Sequence, residues 1–172
     1  MTDTPLTELD DTAAKALRYL KGERKLTPEE ASCGADFLRD HDRIGLARRL
    51  FATLRKEHIA DAGFRLKLAQ KHANCIAKDP DLPVLFRLDK ALSVLSEADD
   101  LKTTRNHETL GLVGATYKRR WEATGQKGHL ECSYAYYRRG YDAGANDRRA
   151  RPSPAVLRTG TAACGAGAPP PA

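Results

Sequence analysis

Apolar residues recur along this chain at steps of three and four, and no segment alternates apolar with polar residues over the length of a strand. That period gathers them on one face of an α-helix. Leu6, Leu9, Ala13, Leu17 and Leu20 predict a first helix over 6–21, ended by Gly22. Thr27 is a good N-cap, Pro28 fits the first helical position and Glu30 completes a capping box, so a second helix starts there and carries Ala31, Ala35 and Leu38. His41 and Asp42 form the turn into a third helix over 43–57, with Leu46, Leu50 and Leu54 on one face and Ile44, Ala47 and Phe51 beside them. A fourth begins near Asp61 with Phe64, Leu68, Ala69, Ala73 and Ile76. It must stop at Lys78-Asp79-Pro80, because the residue before a proline avoids helical geometry. Pro83 opens a fifth, whose stripe is Leu85, Leu88, Leu92 and Leu95, and a polar linker, 98–106, follows it.

The stretch 107–143 is the most informative. Leu110, Val113, Tyr117 and Trp121 mark one helix, and Leu130, Tyr134, Tyr137 and Tyr141 mark another, with Gly125 and Gly128 in the turn between them. The expected packing turns these two stripes toward each other, with Trp121 against Tyr137 or Leu130 and with Tyr136 off the stripe and exposed. The fold class is therefore all-α: about seven helices, paired as antiparallel hairpins two–three, four–five and six–seven, in the manner of an α-solenoid. The hairpin starts near 28, 62 and 107 are spaced like a repeat, though unevenly.

At 172 residues the chain fits one domain with a sizeable core. From Gly144 the composition turns to Gly, Ala, Arg and Pro, which bury too little to offset their ordering entropy, so the helical-repeat domain is 1–143 and a disordered tail 144–172. Those residues also belong to G/C-rich codons, so the tail reads equally as native or as an out-of-frame product. Arg148, Arg149, Arg151 and Arg158 against Asp147 place half of the net charge of +6 in the tail, and the body is close to balanced. No apolar run approaches the ~20 residues that span a bilayer, and the acidic, polar start is no secretory signal, so no membrane partner is expected and the expected compartment is the cytoplasm. Cys33, Cys75, Cys132 and Cys164 lie far apart; the first three read as small apolar helix residues and Cys164 as exposed.

Little here points to chemistry. His72 and Cys75 are three apart on one predicted helix face, but a structural zinc site needs two further ligands, and none is near in sequence. Gly111 and Gly114 lie inside a helix and lack the Lys-Ser/Thr of a phosphate loop, and no residue sits in a nucleophile motif. No catalytic residue, cofactor or metal ligand is expected. The tyrosines and Trp121 at helical spacing read as core and not as a base-stacking platform. Lys118, Arg119, Arg120, Arg138 and Arg139 form a local basic cluster and are the candidate partner-binding residues, because guanidinium forks hold carboxylates in paired bonds.

Val113-Gly114-x-x-Tyr117 repeats the Leu-Gly-x-x-Tyr portion of the tetratricopeptide pattern, in which the small residue admits a neighbouring helix. The first helix of that hairpin runs on through Trp121, about two turns longer than a ~34-residue repeat allows. The run Ala77-Lys78-Asp79-Pro80-Asp81-Leu82-Pro83, then Arg87-Leu88-Asp89-Lys90-Ala91-Leu92, Asp99-Asp100-Leu101, Glu108-Thr109-Leu110-Gly111, Tyr117-Lys118-Arg119-Arg120-Trp121 and Tyr136-Tyr137-Arg138-Arg139-Gly140-Tyr141 resembles bacterial tetratricopeptide-repeat proteins. Their helical region is related to the TRAF-binding domain of the apoptosis-signal-regulating MAP kinase kinase kinases. The resemblance covers about 44–143 and implies an all-helical interaction scaffold without catalytic residues. Members continue past the Arg-Gly-Tyr block into further repeats, whereas this chain enters its Gly/Ala/Pro segment. A C-terminally truncated solenoid, with self-association through an uncapped end, is the corresponding expectation. The expected function is a non-enzymatic scaffold for another protein or peptide. The alternative is a nucleic-acid-binding helical repeat that uses the basic cluster and tail.

Overall fold

The computed structural model describes residues 4–150, and every regular element among them is a helix. In chain order these are α1 (Thr4–Leu20), α2 (Pro28–Asp40), α3 (Ile44–Leu54), α4 (Ala62–Lys78), α5 (Val84–Ala98), α6 (His107–Thr124) and α7 (Lys127–Ala150). Helices α2 and α3, α4 and α5, and α6 and α7 pair as hairpins, and α3 meets α4 as α5 meets α6. The all-α repeat architecture is as expected.

The helix ends follow local chemistry. Thr27 Oγ1 accepts from the Glu30 amide and Glu30 Oε2 accepts from the Thr27 amide, which closes the capping box, with Pro28 in the first turn. Asp61 and Asn106 cap α4 and α6 through their side chains, and Gly125 ends α6 in the left-handed region at φ 68°.

Two apolar clusters fill the interior. Ala16, Ala31, Ala35, Leu38, Ala47, Leu50, Phe51, Leu54, Leu68 and Cys75 make the first. Ala69, Ala73, Ile76, Ala77, Leu88, Ala91, Val94, Leu95 and Val113 make the second. Helix α4 contributes to both, so it is buried nearly all round and its polar groups need partners inside the protein. Gln70 Nε2 donates to Thr109 Oγ1 at 2.9 Å and to Asn106 Oδ1 at 3.1 Å, which joins α4 to the start of α6. Lys71 reaches Asp36 Oδ2 at 2.5 Å and Ser32 Oγ at 3.2 Å on α2. Asp79, at the stop of α4, is wholly buried. Its carboxylate takes Arg48 Nε at 2.6 Å and the Asp81 amide at 3.0 Å, while its carbonyl takes Arg87 Nη1 at 2.7 Å. A buried carboxylate is tolerated only with such a full set of donors.

Three expectations need correction. Leu17 is 42% exposed and Leu85 is 47% exposed, while Ala16 and Ala91 are buried in their place. Small residues therefore share the seams with large ones such as Leu88 and Leu95, which are buried as expected. Cys33 and Cys132 are exposed, and only Cys75 joins the core, where burial pushes its thiol up to about 11. Helix α7 continues to Ala150, so the expected boundary at 144 falls inside it. Good helix formers such as Ala143 and Ala145 follow Tyr141, and a Cβ at Gly144 would stand 3.9 Å from the His107 side chain. The rest of the expected disordered tail, with Cys164, lies outside the described residues.

His72 is buried on α4, and its Nδ1 faces Arg55 Nη1 at 3.2 Å. Burial first, then the Arg55 and Arg48 charges, hold its pKa down to about 4. The unfolded chain takes up this proton near ~6.5, so the stability from a neutral His72 is complete above that pH and is lost as pH falls toward 4. Replacing it with His72→Asn should flatten the decline of stability between pH 7 and pH 4.5 by roughly 3 kcal/mol relative to the parent. Urea melts at the two pH values measure this, and equal slopes in parent and variant would refute it.

Candidate partner-binding surface

The α6–α7 hairpin closes on small residues. A Cβ at Gly114 would stand 3.0 Å from the Tyr137 ring, and Ser133 Oγ donates to the Gly114 carbonyl at 2.9 Å. Gly140 lies close to Leu110, where a Cβ would come within 3.3 Å. Gly114 thus admits the neighbouring helix, as its place in the tetratricopeptide pattern implied. Tyr117 and Tyr136 stack with ring centroids 5.8 Å apart and planes 7° from parallel.

This seam keeps Tyr137 of the expected aromatic core and turns the rest of its α7 stripe outward. Ser133, Tyr136, Tyr137 and Gly140 meet α6, with the Tyr137 ring against Gly114, whereas Leu130, Tyr134 and Tyr141 are 39%, 67% and 70% exposed and Tyr137 is 42% exposed at the edge of the seam. The apolar stripe lies roughly 90° round α7 from the seam at ~100° per residue. Tyr136, expected outside, packs against the second apolar cluster. Trp121 is only half-buried and belongs to neither apolar cluster.

The five basic residues do not converge on one patch. Arg139 donates to the carbonyls of Leu101 at 3.0 Å, Lys102 at 2.9 Å and Thr104 at 3.1 Å, and it covers the Tyr136 ring at 5.4 Å. It therefore holds the 101–104 loop. Arg120 pairs with Asp89 of α5 at 2.7 Å and lies 5.9 Å from the Tyr117 ring. Lys118 is exposed, 3.8 Å from Glu122, and Arg138 is exposed. Arg119 alone of the five borders a recess between α4 and α6.

That recess is a slot of about 160 Å³, lined by Ala73, Ala77, Leu95, Leu112, Ala115 and Thr116. Asn74, Lys78 and Arg119 complete its lining, and no carboxylate borders it. Typical small-molecule sites span ~300–1,000 Å³, so this volume suits one amino-acid side chain. Ala69, Ala73 and Ala77 recur every fourth residue along α4, and that small-residue row is the sequence signal that marks where α6 can approach. Among the described residues no group of three His, Cys, Asp or Glu is placed to hold a metal, and no helix is long and apolar enough to cross a membrane.

Stacked antiparallel hairpins with a Gly-x-x-Tyr approach in the third define a tetratricopeptide-type helical repeat protein. Residues 43–152, more than half of the chain, match the family described as Tetratricopeptide Repeats-Sensor (TPR-S). The chain belongs to that family. No curated protein and no solved structure matches it. Helical repeats of this type generally mediate protein–protein interaction and are generally non-enzymatic.

The different settings of the two neighbouring arginines have a measurable consequence. Arg139→Ala removes three charge-assisted bonds to one loop and should cost about 2 kcal/mol in a urea melt. Arg138→Ala, at an exposed site, should stay within about 0.5 kcal/mol of the parent. Equal effects of the two would show that Arg139 does not hold the loop.

Proposed function

We propose that this protein is a non-enzymatic scaffold whose α4–α6 slot receives an aliphatic side chain from an acidic segment of a partner protein. The observation that carries this reading is the chemistry of the slot: an apolar floor of Ala73, Ala77, Leu95 and Ala115, with Lys78 and Arg119 as its charged residues. A side chain buried there gains its transfer free energy, and flanking carboxylates find two cations without a competing acid in the lining. Arg120 and Arg139 are engaged within the chain and Arg138 lies on α7, so the proposal rests on Lys78 and Arg119. Nucleic-acid binding is the second reading, favoured by the net charge of +6.

A peptide library with one aliphatic position flanked by Asp and Glu, screened by fluorescence anisotropy, tests the proposal. Ala115→Leu fills the slot, and Arg119→Glu reverses a charge beside it. Each should abolish binding of the selected peptides while the far-UV circular dichroism stays helical. Unchanged binding in both variants would sink the slot. Binding to a nucleic-acid oligomer that falls steeply with salt and ignores Ala115→Leu would favour the second reading.

A further inference from the structure

The outer face of α7 carries a row of exposed apolar residues, of which Tyr137 also rests one side of its ring on Gly114 of α6. Leu130, Tyr134, Tyr137 and Tyr141 follow one another at steps of four, three and four, so they form a single stripe along the helix. A stripe of this period is the seam of a helix pair. Tyrosines at such a seam bring large rigid area at low entropic cost, and they are enriched at interfaces. Along the flank of the stripe away from α6 run Lys127, Glu131, Arg138 and Asp142. Their charges alternate in sign, and the order decides what can lie against them.

We propose that this stripe pairs with the same stripe of a second copy of the chain, the two α7 helices antiparallel about a twofold axis near Ala135 and Tyr136. Antiparallel pairing about that point sets Leu130 against Tyr141 of the second copy and Tyr134 against Tyr137 of the second copy. Each match occurs twice, as a twofold interface requires. The same pairing brings Glu131 opposite Arg138 of the second copy and Lys127 opposite Asp142 of the second copy. All four flanking charges therefore meet their opposites. A parallel twofold pairing would place this flank against the other flank of the second copy, so the four charges would not meet one another. In the single chain Lys127 lies 3.6 Å from Glu131, an exposed contact of little strength that gives way to the intermolecular pairs. The stripe leaves Ser133, Tyr136 and Gly140 to their contacts with α6, and Tyr137 offers the side of its ring that Gly114 does not cover, so pairing needs no rearrangement of the hairpin. This pairing rests on α7 and is independent of the slot between α4 and α6.

Sedimentation equilibrium of the full chain, with a reductant present to exclude disulfides through Cys33 or Cys132, tests the proposal. The parent should pass from monomer to dimer between about 1 µM and about 1 mM, as mass action requires of a reversible dimer. Tyr134→Glu should keep it monomeric throughout. Glu131→Arg and Arg138→Glu, taken singly, should each weaken the dimer about tenfold or more, because like charges then meet. The double variant Glu131→Arg/Arg138→Glu should recover the parental dimer, since both pairs are restored with their signs reversed. A parent that stays monomeric at the highest concentration overturns the proposal. So does a dimer that survives Tyr134→Glu, or one that the double variant fails to restore.

Discussion

Everything in this chain is arranged round the burial of α4 on both sides. A surface helix needs one apolar stripe and can leave its polar residues to water. Helix α4 has neighbours on either side, α3 and α5, and its start of chain-internal contacts extends to α6. Leu68 and Cys75 face one cluster while Ala69, Ala73, Ile76 and Ala77 face the other. The buried polar residues on it, and the half-buried Lys71, recruit other elements: Gln70 binds the start of α6, His72 takes Arg55 and Lys71 takes Asp36. The stop at Asp79 is fixed the same way, between Arg48 of α3 and Arg87 of α5. An unpaired buried group costs more than its bond returns, so these partners specify the register of the hairpins as well as adding stability.

The same constraint creates the slot. Small residues on α4 let α6 come close, and where Ala73 and Ala77 meet Ala115 and Thr116 a recess remains above Leu95. Lys78, the last residue of α4, and Arg119, late in α6, reach it from opposite walls. Between α6 and α7, by contrast, close approach at Gly114 and Gly140 leaves Leu130, Tyr134 and Tyr141 outside, with Tyr137 at the edge of the seam. One physical device, small residues at a helix crossing, thus yields an indented surface in one place and an apolar ridge in the other.

Helix number, hairpin pairing and most helix ends were legible in the sequence, because caps and prolines act locally: Thr27 with Glu30, Asp79 before Pro80, and Gly125 after α6. Which face each helix buries was less legible. Large apolar residues suggested Leu17, Leu85 and the tyrosines of α7, while the seams also take in Ala16, Ala91, Ser133 and Gly140. Side-chain size at the crossing decides how near two helices come, and that depends on the partner helix, which periodicity does not reveal. The basic cluster failed as a unit for a related reason. Residues 118, 119 and 120 are adjacent in sequence but point about 100° apart round α6, so Arg119 meets the slot and Arg120 meets Asp89. The role of Arg139 depends on a loop that ends more than thirty residues earlier, and nothing local announces it.

The most direct test of the binding account is to locate a bound acidic peptide on the chain by amide chemical-shift mapping. Shifts confined to α4 around Ala73–Lys78 and to α6 around Leu112–Arg119, with the largest at Ala77 and Ala115, are what the slot predicts. Shifts that gather instead on α1, or spread along the exposed face of α7 and leave α4 and α6 unmoved, would contradict it.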